Sequence, residues 1–132
     1  MRVNESSLWR WIQKNLPSDC MFCRVENVVS RGTPDVFGVR NGRAVAIELK
    51  SVPRRKSGNV WCELKPEQAS FLRRWHAAGG IALVIVQVSG QNKPTARYAV
   101  TAQDCHMLLH LMSENLLRDV SREVFNSFFK YI

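Results

Sequence analysis

Three side chains in the first half of this 132-residue chain have the types and spacing to do chemistry together: Asp35, Glu48 and Lys50. Between the two acids lies Asn41-Gly42, the strongest short hairpin signal, because both central residues of a type I′ turn need the left-handed backbone that Asn and Gly tolerate. With those two as the loop, Arg40 lies opposite Arg43, and counting outward puts Asp35 opposite Glu48. That position is a non-hydrogen-bonded pair, where Cα atoms approach to about 4.5 Å and both side chains leave one face. Lys50, two residues beyond Glu48, leaves the same face. Adjacent carboxylates raise the pKa of one of the pair unless a cation neutralises them. Hard oxygen ligands without organised cysteine or histidine partners favour Mg2+ or Mn2+ over Zn2+.

The Asp-x12-Glu-x-Lys spacing alone fits a solvated strand end equally well, so the surrounding elements decide what the three residues mean. Strands over 35–40 and 43–52 put Phe37 opposite Ala46 and Val39 opposite Ala44, while Val36, Val45, Ile47 and Leu49 occupy the other face. Both faces are then mainly apolar, and the acids sit at the end of a buried hairpin. Upstream, Asn4 can cap a helix that Pro17 stops at about residue 16, with Glu5, Leu8, Ile12 and Leu16 on one stripe. Residues 21–29 read as a strand and 30–34 as a loop. Downstream, residues 53–64 include Pro-Arg-Arg-Lys-Ser-Gly, which suits a mobile basic loop. Pro66 opens a helix that ends at Gly79-Gly80, with Gln68 on the stripe of Phe71, Leu72 and Trp75. Glu5 and Gln68 can therefore both face the acidic pair. The alternatives for them are an acid favoured at a helix N-terminus and a solvated first-turn amide.

Residues 81–88 form a nearly unbroken β-branched run, as in a central strand covered on both faces, and 95–100 a shorter strand nearer an edge. Thr101 and Asp104 read as a capping box that opens helices running to residue 132. The last of these places Leu116, Val120, Val124, Phe128 and Ile132 on one stripe.

Nineteen Lys and Arg against eleven Asp and Glu give a net charge of +8, which favours a polyanionic partner, nucleic acid first. Eleven basic and five acidic residues fall between Arg24 and Arg74, so +6 of that charge is concentrated in the middle of the chain. No apolar run approaches a bilayer span and the N-terminus lacks a signal-peptide core, so an intracellular, cytoplasmic protein with no membrane partner is expected. Cys20, Cys23, Cys62 and Cys105 are then expected to stay reduced. Cys20 and Cys23 form a CxxC with no second pair to complete a zinc site, and His106 and His110 lack an evident third ligand.

The run RGTPDVFGVRNGRAVAIELKS, followed by LKPEQASFLRRWHAAGGIALVIV, resembles the VRR-NUC branch of the PD-(D/E)XK nucleases and is similar to the archaeal-type Holliday junction resolvases. The similarity covers residues 24–88. It implies one α/β domain over residues 1–132: a restriction-endonuclease-like mixed central sheet of about four or five strands flanked by helices, with extra C-terminal helices. It also implies that Asp35 and Glu48 bind Mg2+ or Mn2+, helped by Glu5 and the Leu49 carbonyl. Lys50 would orient the attacking water or stabilise charge on the phosphate, and Gln68 would position Lys50 or the water. Arg31, Arg54, Arg55, Lys56, Arg73 and Arg74 are candidates for DNA backbone contacts. The expected activity is a structure-selective DNA endonuclease cutting branched DNA such as four-way junctions as a homodimer. A nicking or restriction-type duplex nuclease and a non-catalytic DNA-binding accessory protein are the alternatives.

Overall fold

A computed structural model describes residues 5–25 and 32–121. Among these, α1 (Glu5–Asn15) leads into β1 (Cys20–Arg24), β2 (Val36–Arg40), β3 (Arg43–Pro53) and a short β4 (Asn59–Val60). Then come α2 (Pro66–Ala77), β5 (Ile81–Gly90), β6 (Lys93–Thr101), a single 3-10 turn (Cys105–Leu109), a short β7 (Met112–Ser113) and α3 (Glu114–Val120). Five strands make one mixed sheet in the order β1-β2-β3-β5-β6. Only the β3–β5 pair is parallel, and α2 is its crossover. β4 and β7 pair separately.

The β2–β3 turn forms as its residues dictate, with Asn41 and Gly42 at φ of 53° and 73°. The resulting register pairs Arg40 with Arg43 and Val36 with Ile47. Alternation along β3 and β5 then divides the core between the two sheet faces. On one face Val45, Ile47, Leu49, Leu83 and Ile85 pack against Leu8 and Ile12 of α1. On the other, Val52, Val84, Val86 and Val88 pack against Ala69 and Leu72 of α2 and against Cys105, Leu108 and Leu117 from the C-terminal segments. All of Ile81–Ser89 is buried, as a strand covered on both faces requires.

Two regions depart from the sequence expectation. Residues 54–58 do form a turn with Arg55 and Lys56 exposed, but the basic segment is shorter than expected: β3 runs on to Pro53, Arg54 is buried, and β4 pairs with β7. Helices do not begin at Thr101 either. Thr101 is a buried residue of β6 paired with Leu83, so the capping box is not used, and a turn, a 3-10 segment and a two-residue strand precede α3. In α3 it is Leu117 that is buried while Leu116 is 40% exposed, so the apolar stripe is rotated from the one expected. Val124, Phe128 and Ile132 of that stripe lie outside the described residues, as do Asn4 and the far end of the strand expected over 21–29.

Candidate active site

β3 outruns β2. Its pairing with β2 stops at Val36–Ile47, whereas its pairing with β5 continues to Pro53–Ser89, so, among the described residues, 48–53 pair with a strand on one side only. An edge left open inside a sheet leaves backbone groups without ladder partners. Asp35, immediately before β2, fills part of the gap: its Oδ2 accepts a hydrogen bond of 2.8 Å from the Leu49 N–H. A residue's N–H and C=O leave an antiparallel strand on the same side, so the Leu49 carbonyl faces that opening too. The approach to Asp35 is held by packing as well. Gly32 sits at φ +84° against α2, where an added Cβ would lie 2.6 Å from the Glu67 carbonyl oxygen. Phe37 packs against Phe71 and Trp75 of α2 with ring centroids 6.2 and 5.4 Å apart.

Glu48 is 4% exposed, and α2 organises its carboxylate. Gln68 uses both ends of its amide: Oε1 accepts from the Lys65 N–H at the start of α2 (2.9 Å), and Nε2 donates to Glu48 Oε1 (3.1 Å). The Lys50 ammonium stands 4.0 Å from the same oxygen and donates to the Glu63 carbonyl at 3.5 Å. Glu48 Oε2 is buried and, among the described residues, receives no hydrogen bond from a donor. Burial first, and then the neighbouring Asp35 carboxylate, push the Glu48 carboxyl up to about 9, against the opposing pull of Lys50. Two oxygen ligands beside an orphaned, buried oxygen fit a hard divalent cation, which would supply the positive charge that the protein does not.

Glu5, at the N-terminus of α1, contributes to the negative potential at Glu48. It lines a cavity of about 300 Å³ along the open edge together with Lys50 and Ser51. Among the described residues no group of three or more His, Cys, Asp or Glu side chains assembles around one point. His106 and His110 form no such group, and the four cysteines are free thiols.

The expected basic contacts separate. Arg55 and Lys56 are exposed just past β3, and Arg55 lines the same cavity as Lys50. Arg73 and Arg74 are exposed on α2, with Arg73 near Cys105 of the 3-10 turn, whose thiol burial pushes up against the opposing pull of that guanidinium. Arg31 lies outside the described residues. Arg54 is a correction. Its guanidinium is turned inward, donating to Glu114 from Nε at 2.8 Å and to the carbonyls of Gly90, Lys93 and Pro94. All its donors are committed to protein acceptors, so it is a structural clamp and not a DNA contact. Its sequence neighbours show only that the segment is basic; the partner lies sixty residues on. The Glu63 carbonyl that holds Lys50 was equally invisible, since any residue has a carbonyl.

A mixed five-stranded sheet with helices on both faces is consistent with a restriction-endonuclease-like fold. Among solved structures the chain is similar to Hjc, a Holliday junction resolvase from the archaeal hyperthermophile Archaeoglobus fulgidus, at a TM-score of 0.60 and 18% sequence identity over 95% of this chain and 96% of that one. No protein-family model and no curated protein matches the sequence.

Proposed function

We propose that the chain is a metal-dependent DNA endonuclease of the PD-(D/E)XK kind, similar in residue pattern to the VRR-NUC branch, that hydrolyses phosphodiester bonds in branched DNA. The observation that carries this reading is the buried, donorless Glu48 Oε2 beside Asp35, with Lys50 on the same face. Asp35, Glu48 and the Leu49 carbonyl would hold Mg2+ or Mn2+, and Glu5 adds negative potential nearby. Once bound, the cation polarises a phosphate oxygen and lowers the pKa of a water. Gln68 occupies Glu48 Oε1 and so reserves Oε2 for the ligand. Lys50 holds its ammonium where negative charge grows on the phosphate, and its tether to Glu63 fixes that position. Arg55 and Lys56, and Arg31 by its place before Asp35, offer phosphate contacts that give affinity without reading sequence.

Similarity in fold to a Holliday junction resolvase supports four-way junctions as the substrate. Two symmetric cuts then call for a homodimer, since one chain offers one such site. Such a protein works where DNA is, which agrees with the intracellular location expected above. The test compares Mg2+-dependent cleavage of a four-way junction, a flap and a linear duplex. Preference for the junction is expected; equal rates would remove the junction assignment, and no cleavage of any substrate would remove the nuclease. Glu48→Ala should abolish cleavage, by at least about a thousand-fold, while leaving DNA binding within a few-fold.

A further inference from the structure

The cavity along the open edge of β3 has a wall that phosphate hydrolysis does not require. Between β4 and α2 Val60, Cys62 and Leu64 are buried in the α2-side core, while Trp61 and Glu63 are exposed and the chain turns through a left-handed backbone at Glu63 (φ 53°). The anchors on either side hold Trp61 in place, and the Lys50 bond to the Glu63 carbonyl ties this segment to the catalytic lysine. Trp61 is nevertheless 45% exposed, and it lines the same cavity as Lys50, Ser51, Arg55, Glu5 and Glu63. An exposed indole held by a well-anchored backbone presents a flat face on which a planar group can stack.

The charges of that cavity say what the partner is. Lys50 and Arg55 are balanced by Glu5 and Glu63, so the pocket is not a phosphate trap; it offers an aromatic face together with hydrogen-bond acceptors and donors. A volume of about 300 Å³ suits one planar heterocycle and little more. We propose that this cavity receives a nucleobase unstacked from the strand at the cleaved phosphate, with Trp61 as its stacking platform and Arg55 on the adjoining phosphate. The site then selects DNA with an unpaired or easily opened nucleotide at the cut, as at a branch, a gap or a flap. This rests on the nuclease reading for the position of the cut, though not for the stacking itself.

The experiment measures binding without added metal, so that it does not depend on cleavage. Wild type, Trp61→Ala and Trp61→Phe are titrated with a continuous duplex and with the same duplex containing a short single-stranded gap that carries 2-aminopurine. Loss of one stacked base corresponds to roughly ten- to a hundred-fold in affinity. Trp61→Ala should weaken gapped-DNA binding by that factor and abolish quenching of 2-aminopurine. Trp61→Phe should fall between, and duplex binding should change less than about two-fold. Because Trp61 is exposed, both variants should fold, which thermal unfolding checks. Equal loss on both DNAs, no loss on either, or no binding of gapped DNA by wild type would overturn the proposal. A Trp61-dependent preference for gapped DNA in a protein that never cleaves would uphold it and defeat the nuclease instead.

Discussion

Glu48, in the middle of β3, and Glu114, which meets Arg54 just past the end of that strand, are both drawn largely out of water, yet their carboxyls are pushed in opposite directions. Burial would raise the Glu114 carboxyl, but hydrogen bonds from Arg54 and Tyr98 outweigh it and hold the group below its ordinary value. Arg54 gives Glu114 two bonds, of 2.8 and 3.3 Å, and the Tyr98 hydroxyl a third of 2.6 Å. At Glu48 burial is joined by a second carboxylate, and one oxygen has no donor at all. One cluster is closed on itself and joins α3 to β3 and to the β5–β6 hairpin. The other is electrostatically incomplete, which a protein sustains where a ligand completes it. A carboxylate supplied with donors stays charged at low cost, whereas one placed beside a second carboxylate keeps its proton until a cation replaces it.

The comparison breaks most easily at Arg54. Arg54→Ala strands Glu114 without its main donor and should cost about 3–5 kcal/mol in urea unfolding; a loss under about 1 kcal/mol would show that the clamp is not structural. Next in size is Glu48→Gln in metal-free protein. Folding raises the Glu48 pKa from 4.5 to about 9, so the native state holds a proton that the unfolded chain has released. Stability from this group is full below the unfolded value, declines as pH rises from about 4.5 and is lost through about 9. The substitution removes that decline and should stabilise the protein at pH 9 by at least about 2 kcal/mol, with little effect near pH 5. Added Mg2+ should raise the melting temperature of wild type increasingly with pH and leave the variant unmoved; a flat pH profile in metal-free wild type would contradict the incomplete cluster.

Tyr98→Phe removes one bond from a cluster that keeps Arg54, and about 1.5 kcal/mol of lost stability is expected in the same unfolding assay. No measurable change would mean that Arg54 alone satisfies Glu114. The smallest stability change belongs to Gln68→Ala, about 1 kcal/mol from the lost bond to the Lys65 N–H. Its signature is the mismatch with function. Cleavage should fall ten-fold or more because Glu48 loses the donor that orients it, and a loss of stability without a loss of rate would make Gln68 a cap and nothing else.

Much of this was legible beforehand. Asn41-Gly42 set the hairpin register, Pro66 and Gly79-Gly80 bracketed α2, and the run from Ile81 announced a strand covered on both sides. Thr101 misled because a capping-box pattern and a β-branched strand residue look alike until Leu83 is seen opposite it. Leu116 misled because α3 is seven residues long and enters from β7, so its inward face is set by that entry rather than by a long periodic stripe.

Local rules thus determined, from the sequence by itself, the β2–β3 register and the shared face of Glu48 and Lys50. Asp35, by contrast, lies just beyond the last pair, Val36–Ile47, and turns its carboxylate to the Leu49 N–H. Only tertiary structure decided which charged groups would be neutralised. Arg54 meets Glu114 across sixty residues, and β3 outruns β2 by an amount that no local signal encodes. Pairing of charges depends on distance in space and on the water removed around them, and neither quantity exists until the sheet and its helices close.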